Sequence, residues 1–414
     1  MTNFPTSFLS FFILGFWTCS AVHAKPLKVY VLCGQSNMEG HAKIGTFEAM
    51  RIDPLTKPIL KEMVDGKGNP VVCDQVWISY FTGGRDDMGE GFGKLTAGFG
   101  SRRNPAQASD KIGPEFTFGI FMQKALGEPV LIIKTAWGGK SIHTDFRPPS
   151  AGPYPFSEKE LENLKKRGKN LKEAKAEKKE QTGRFYRLMI EHVRRVLKDV
   201  KRVYPGYDSK DGYEIAGFAW FQGWNDMVAS GTYPNRGQPG GYDAYSECLA
   251  HFIRDVRKDL KAPDMKFVIG VMGVGGPLDK YASPRYVPIH GSFREAMAAP
   301  ASMPEFKGNV AAVRTAPFWD FRLQEIEDKQ GKVKQMAGFL KSKHKDHPNK
   351  DGSMDAQAQK AYLNKYRSEL ISEEDESYVK IARSNAAYHY FGSAKTMARI
   401  GKAFAEAMIE MRSK

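Results

Sequence analysis

The residues best suited to chemistry stand together in one short stretch, Cys33-Gly34-Gln35-Ser36-Asn37-Met38. An apolar run over residues 27–32 precedes it and reads as a buried strand. A strand that stops at a glycine can turn sharply and present the next hydroxyl at the carboxyl edge of a sheet. A serine hydroxyl is a weak nucleophile until a base takes its proton. The chain must therefore also supply a histidine, and donors for the oxyanion that the attack creates.

His41 and His143 lie near candidate turns, while His192 and His251 sit within helical patterns and read as solvated or half-buried. His344 and His347 belong to a charged segment. His389 stands in the aromatic loop Tyr388-His389-Tyr390-Phe391-Gly392, directly before the last helix, and is the expected base. Taken alone, a packed loop histidine would be the plainer account of it. Oxyanion donors are expected from the backbone N–H of Ser36, from that of Gly138 or Gly139, and from the Asn225 side-chain amide. Gln35 and Gln222 are candidates to orient the site, although amides in such turns often serve only the local backbone.

Rival chemistries fail on spacing. Gly139-Lys140-Ser141 follows a strand, but a phosphate loop needs a glycine five residues before Gly139, and Lys134 stands there. The Gly-x-Ser-x-Gly elbow is absent, since position 38 is Met. No His-Glu-x-x-His and no paired Cys or His spacing is present, so neither a metal nor an organic cofactor is expected. No carboxylate pair is placed by sequence for glycoside hydrolysis.

The elements that must position these residues alternate. Apolar strands are predicted over 27–32, 129–135, 215–221, 266–273 and 309–315. Helices are predicted from Gly113-Pro114-Glu115 to a Gly127 cap, over 184–200, 243–260 and 292–299, and at the C-terminus. Residues 40–111 read as surface loops, with short strands at 71–72 and 76–78. Two lysine- and glutamate-rich segments, near 157–182 and 325–374, read as charged helical insertions, the second holding a helix over 356–370. Alternation of this kind predicts an α/β fold, a doubly wound parallel sheet with right-handed crossovers, in one domain over 25–414. Its strand-end turns would gather at one crevice.

The formal charge is +15, but many lysines fall in the two insertions. A basic surface suited to anionic polymers or to solubility is expected, without nucleic acid as a partner. Residues 1–24 carry no Lys, Arg, Asp or Glu, and contain an apolar block at 8–17 and the small-residue pattern Ala21-Val22-His23-Ala24. This reads as a secretory signal cleaved after Ala24, with export to the periplasm or beyond. The block is too short for a comfortable membrane span. Cleavage would leave Cys33, Cys73 and Cys248, an odd number that makes no disulfide framework.

Gly34-Gln35-Ser36-Asn37-Met38, Gly113-Pro114-Glu115, Ala136-Trp137-Gly138-Gly139, Trp220-Phe221-Gln222-Gly223 and the late His389, in that order, resemble the SGNH-hydrolase superfamily. The resembling branch is the sialate O-acetylesterase and acetylxylan esterase group, carbohydrate esterase family six, and it extends from about Lys28 to the C-terminus. The resemblance implies a flavodoxin-like three-layer α/β/α fold and a secreted serine esterase that removes O-acetyl groups from a carbohydrate. By matched position it makes Ser36 the nucleophile, His389 the base, Gly138 or Gly139 an oxyanion glycine, and residues 222–226 the third block. Two departures stand out. Trp224 replaces the branch's glutamate, while Asn225 fits the broader Gly-x-Asn-Asp form. Ala386, preceded by Asn385, occupies the place of the aspartate that usually orients the histidine. Asp226 or Asp320 would then have to support the ring, or a dyad works without a carboxylate. The alternatives are a catalytically degenerate carbohydrate-binding protein, with Trp137, Trp224 and Trp319 stacking on sugars, and an esterase for a non-carbohydrate ester. The expected partner is an acetylated glycan, anionic if the lysine-rich insertions touch it.

Overall fold

All eight residues of the first strand, β1 (Leu27–Gly34), are buried, as a strand covered on both faces requires. The computed structural model describes residues 1–2, 25–84, 87–280 and 284–413. The signal segment expected over 1–24 lies, from residue 3 onward, outside the described residues. Six further strands join β1 in one sheet: β2 (Val76–Thr82), β3 (Gly89–Lys94), β4 (Val130–Ala136), β5 (Tyr213–Phe221), β6 (Lys266–Val271) and β7 (Val310–Arg314). Their order is β3-β2-β4-β1-β5-β6-β7. Every pairing is parallel except β2 with β3.

The side chains of β5 show how the layers form. Phe218 packs edge-on and Trp220 at a tilt against Phe252 of a helix over Asp243–Asp259, with ring centroids 5.8 and 4.5 Å apart. Gly217 and Phe221 point the other way, toward the C-terminal helix Ala394–Arg412. Phe221 meets Phe404 there at 5.5 Å, and a side-chain carbon at Gly217 would lie 2.4 Å from Met408 Sδ. This two-residue alternation places helices on both faces. The helix Arg184–Lys198 shares the first face, with Tyr186 against Phe252 at 5.6 Å. The helix Glu115–Leu126 shares the second, where Thr117 Oγ1 donates to Ala398 O at 2.9 Å. The result is the three-layer α/β/α arrangement.

Several details differ from expectation. Residues 40–111 hold the helices Phe47–Ile52 and Lys57–Met63 as well as β2 and β3. β3 (Gly-Glu-Gly-Phe-Gly-Lys) is half glycine, so its pattern hides a strand that antiparallel pairing with β2 creates. Residues 71–72 form no strand, and Val71 N instead donates to Met63 O at 3.0 Å. His192 is buried rather than solvated, with Nε2 2.8 Å from Ser79 Oγ. β4 stands between β1 and β2, whereas a flavodoxin-type order has the first two strands side by side. Residues 157–182 form two helices, Glu158–Lys166 and Leu171–Gln181. The second insertion contains Phe321–Lys341, Ala356–Leu370 and Glu373–Ala382.

The chain places β2 to β4 on one side of β1 and β5 to β7 on the other. Such a reversal opens a crevice at the carboxyl ends of the strands, and Gly34 ends β1 at its mouth.

Candidate active site

Gly34 is dictated by a close approach: a side-chain carbon there would lie 2.1 Å from Phe221 O, where β1 and β5 end together. Gln35 is extended, and Ser36 opens the four-residue helix α1 (Ser36–Glu39). The turn after β4 closes on the same point. A carbon added at Gly138 would stand 3.8 Å from Ser36 Cβ and 3.5 Å from Glu39 Oε2, while one at Gly139 would meet open space. The far end of α1 is held from below by the fully buried Lys134. Its Nζ donates to Glu39 O at 2.8 Å, Phe99 O at 2.7 Å and Glu115 Oε2 at 2.7 Å. Burial lowers the Lys134 pKa to about 8, against the attraction of Glu115. A buried pair of this kind adds little net stability, but it fixes position.

On the β5 side, hydrogen bonds settle the amide orientations. Gln35 Oε1 accepts from the backbone N–H of Gly223 at 3.0 Å and of Asn225 at 3.4 Å. Backbone N–H groups only donate, so this atom is the oxygen. Gln35 Nε2 must then donate, and it does so to Asn225 Oδ1 at 3.1 Å. Asn225 thus presents its oxygen to Gln35 and keeps the Nδ2 hydrogens for another acceptor. Asp226, fully buried, accepts four bonds: from the Ile142 and His143 N–H groups at 2.9 and 3.1 Å, from Gln222 Nε2 at 2.6 Å, and from the Tyr233 hydroxyl at 3.1 Å. Burial pushes its pKa up to about 6 against the pull of those donors. Its place is to lock the loop after β4 onto the turn after β5. Both of its oxygens are engaged there rather than at the His389 ring.

His389 arrives on a strained turn. Tyr390 and Phe391 have φ of 52° and 58°, in the left-handed region that non-glycine residues avoid. Two such residues cost about 1–3 kcal/mol each. Their burial offsets this: both are fully buried, and the Tyr390 hydroxyl accepts from Gly273 N–H and meets Thr315 Oγ1, both at 2.7 Å. Asn37 Nδ2 donates to Tyr388 O at 3.2 Å, which joins the serine turn to the histidine turn.

The group that meets the histidine ring is Asn385. Its Oδ1 accepts from Ala386 N–H at 2.8 Å, which identifies it as oxygen, and lies 3.0 Å from His389 Nδ1. Nδ1 therefore carries the proton, and Nε2 is left with its lone pair. Asn385 Nδ2 faces His41 Nδ1 at 3.4 Å. The His41 ring stacks on His389 with centroids 3.9 Å apart and planes 7° apart. Glu39 Oε2 stands 3.7 Å from His41 Nε2, which makes no hydrogen bond among the described residues. Burial, then the charges of His41 and Lys111, lower the His389 pKa to about 3. No hydrogen bond joins Ser36 Oγ to His389. Asp320 is elsewhere: it caps the helix Phe321–Lys341 through Leu323 N–H, accepts from the Tyr378 hydroxyl, and lies 3.4 Å from Lys395 Nζ.

Residues 96–285, just under half of the chain, match the family model described as carbohydrate esterase, sialic acid-specific acetylesterase. That segment is similar to this carbohydrate-esterase family. The match supports O-acetyl ester hydrolysis of a carbohydrate as the activity of the chain. No curated protein matches the chain. Among solved structures, one from Arabidopsis thaliana is 16% identical over 70% of this chain and 86% of its own, with a TM-score of 0.36. A carbohydrate acetylesterase from Xanthomonas citri is 14% identical over 71% of this chain and 51% of its own, with a TM-score of 0.39.

Within the esterase, the family match spans Gly138, Gly139, Gln222, Asn225 and Asp226, while Ser36 and His389 lie outside it. Two of the three tryptophans that could have stacked on sugars are core residues, Trp137 at 1% and Trp319 at 3% exposure. Trp224 is partly exposed, with Tyr388 5.8 Å away. Sequence patterning does not single out Glu39, Lys134, Glu115 or Asn385 as site residues. Glu39 and His41 follow Ser36 at short spacing, which is the signal that could have found them. Among the described residues no group of His, Cys, Asp and Glu is arranged to hold a metal ion.

Proposed function

We propose that this carbohydrate esterase works by a serine–histidine mechanism. Ser36 Oγ attacks the acetyl carbonyl while His389 Nε2 takes the hydroxyl proton. The Ser36 N–H, an N–H of Gly138 or Gly139, and Asn225 Nδ2 receive the oxyanion. His389 returns the proton to the departing sugar oxygen, and the acetyl group stays on Ser36. Water, activated by the same Nε2, then releases acetate. Asn385 replaces the usual carboxylate: it holds the correct tautomer but offers only a neutral dipole to the imidazolium. Ser36 Oγ would have to rotate toward Nε2 as substrate binds, since apo geometry is often looser than that of the loaded site.

The observation that carries this reading is the pair of amide orientations. Gln35 leaves Asn225 with a free donor, and Asn385 leaves His389 with a free acceptor. The rival, a binding protein without catalysis, loses support from the burial of Trp137 and Trp319. A serine-directed phosphonate should label Ser36, and Ser36→Ala should release no acetate from acetylated glycans or a chromogenic acetate. Unchanged turnover in that variant would falsify the mechanism. We place the enzyme outside the cytoplasm on the strength of the apolar, uncharged residues 1–24. Recovery of an unprocessed chain only from the cytoplasm of its native cell would remove that part of the reading.

A further inference from the structure

A second histidine, His41, lies where the serine turn and the histidine turn meet. Gly40 carries the chain from α1 to His41 with φ of 87°, packed so close to Gly113 that a side-chain carbon would lie 2.0 Å from its Cα. Glycine alone combines that φ with that approach. Across this turn the side chains of Glu39 and His41 face each other, 14% and 13% exposed. Lys43 N–H donates to Ser384 Oγ at 3.1 Å, and the N–H groups of Ser384 and Asn385 both donate to Phe391 O, at 2.9 and 2.8 Å. His41 is thereby held against the strained turn that carries His389.

The direction of each contact follows from one end. Asn385 Oδ1 faces His389 Nδ1, so Nδ2 is the atom 3.4 Å from His41 Nδ1. An amide NH2 group only donates, so His41 Nδ1 carries a lone pair and the His41 proton sits on Nε2. A second proton on His41 would set two donors face to face and put a like charge on the His389 ring, stacked at 3.9 Å. Nε2 is buried and makes no hydrogen bond among the described residues, and the acceptor it faces is Glu39 Oε2 at 3.7 Å. That separation is long for a hydrogen bond but well within the field of a carboxylate. His41 is the one ion-pair partner of Glu39 among the described residues, since Lys134 Nζ bonds the Glu39 backbone oxygen instead. Four groups therefore run one way, from His389 to Asn385 to His41 to Glu39. Each points a hydrogen at the next, and the run ends on a carboxylate.

Resting on the serine–histidine mechanism above, we propose that Glu39 and His41 are positioning residues that replace the missing aspartate from a distance. Glu39 fixes the His41 tautomer. Its charge, passed through the His41 and Asn385 dipoles, stabilises the imidazolium that forms on His389 as Ser36 attacks. Aligned hydrogen bonds polarise one another, so Asn385 becomes a stronger acceptor than an isolated amide. No proton travels along the run: each hydrogen stays on its donor nitrogen, and the transfer is from Ser36 Oγ to His389 Nε2 alone.

The test uses the full chain, a chromogenic acetate, and the downfield proton resonance of His389 Nδ1–H, assigned by its absence from His389→Ala. Glu39→Gln should lower kcat about tenfold at unchanged KM, well short of the about 10⁴-fold loss when a directly bonded carboxylate becomes an amide. His41→Phe keeps a ring to stack but no nitrogen, and should lose as much. The double variant should lose no more than either single one, as expected of groups that act in series. In an Asn385→Ala background Glu39→Gln should cost nothing further, because the run is already cut. Native kcat in either single variant, or multiplied losses in the double variant, would overturn the proposal. So would an undiminished loss in the Asn385→Ala background, which would make Glu39 a support of the serine turn. A rise in kcat in Glu39→Gln would place its charge on the Gly138 side of the serine and overturn it too. The resonance should move upfield in Glu39→Gln, and an unmoved resonance counts against the run. That readout needs no turnover: if Ser36→Ala still releases acetate, the mechanism fails while the resonance still decides the run. Should Glu39→Gln not fold, the kinetics of His41→Phe, alone and with Asn385→Ala, decide in its place.

Discussion

The two halves of the crevice are built to different standards. On the β5 side, Gln35, Gln222 and Asp226 bond one another and the backbones of Ile142, His143, Gly223 and Asn225, so each amide has one allowed orientation. On the C-terminal side, His389 is held by one carboxamide at 3.0 Å and one stacked ring, on a turn that stores backbone strain. The proposed oxyanion half is over-determined, whereas the proposed base half is positioned by few contacts and by a neutral partner. The difference teaches where preorganisation is concentrated in this enzyme. On the proposed mechanism it lies around the charge that develops on oxygen, whose stabilisation usually contributes most to acyl transfer.

If that contrast is right, losses should follow it. His389→Ala should lower kcat/KM on a chromogenic acetate by about 10³-fold or more, the usual loss when the base of a serine–histidine pair is removed. Asn225→Ala should cost about 10²–10³-fold, mostly in kcat, the usual effect of losing one oxyanion donor. An Asn225→Ala enzyme with native kcat would remove this residue from the oxyanion site and break the comparison.

Asn385→Asp sharpens it from the other side. The new carboxylate would keep an acceptor for His389 Nδ1 and Ala386 N–H, and would add a charge that favours the imidazolium. The native His389, held at about 3, stays an available base far into acid, so its limb in kcat/KM should lie well below pH 6. In the variant that limb should move upward by a pH unit or more. A limb that does not move would mean that Asn385 does not govern the ring.

The smallest effect is on stability. Burial lowers His143 and His290 to about 4 and His192 and His389 to about 3, from 6.5. Below pH 6.5 the unfolded chain takes up protons that the folded chain refuses. Stability present above pH 6.5 is therefore lost as pH falls, by up to about 1.4 kcal/mol per pH unit for each group. Asp226, raised to about 6, runs the other way: its contribution is present at low pH and lost as pH rises through 6. One group opposes four, so the urea midpoint should be lower at pH 5 than at pH 7. An equal or higher midpoint at pH 5 would contradict these burials.

Much of the fold was legible in sequence because parallel strands are buried on both faces. The runs at 27–32 and 215–221 are continuous apolar blocks bounded by glycine turns, and both became strands of the sheet. The helix from Glu115 to its left-handed Gly127 cap was readable from local capping chemistry. β3 was not, because a glycine-rich edge strand owes its shape to its partner rather than to its own residues. The position of β4 between β1 and β2 carries no local signal at all.

The sequence by itself determined which groups are available: a serine after a strand-end glycine, an asparagine in the third block, a histidine before the last helix. It also showed that the usual orienting aspartate is missing, since Ala386 stands in its place. Only the tertiary structure decided what takes over. Asn385 reaches the ring, Asp226 is occupied in locking two loops, Asp320 caps a helix, and Glu39 comes to lie beside Ser36 and His41. The reason is physical. A strand and its turn follow from neighbours in the chain, whereas the reach of a side chain depends on the register of strands and on turns brought together from hundreds of residues apart.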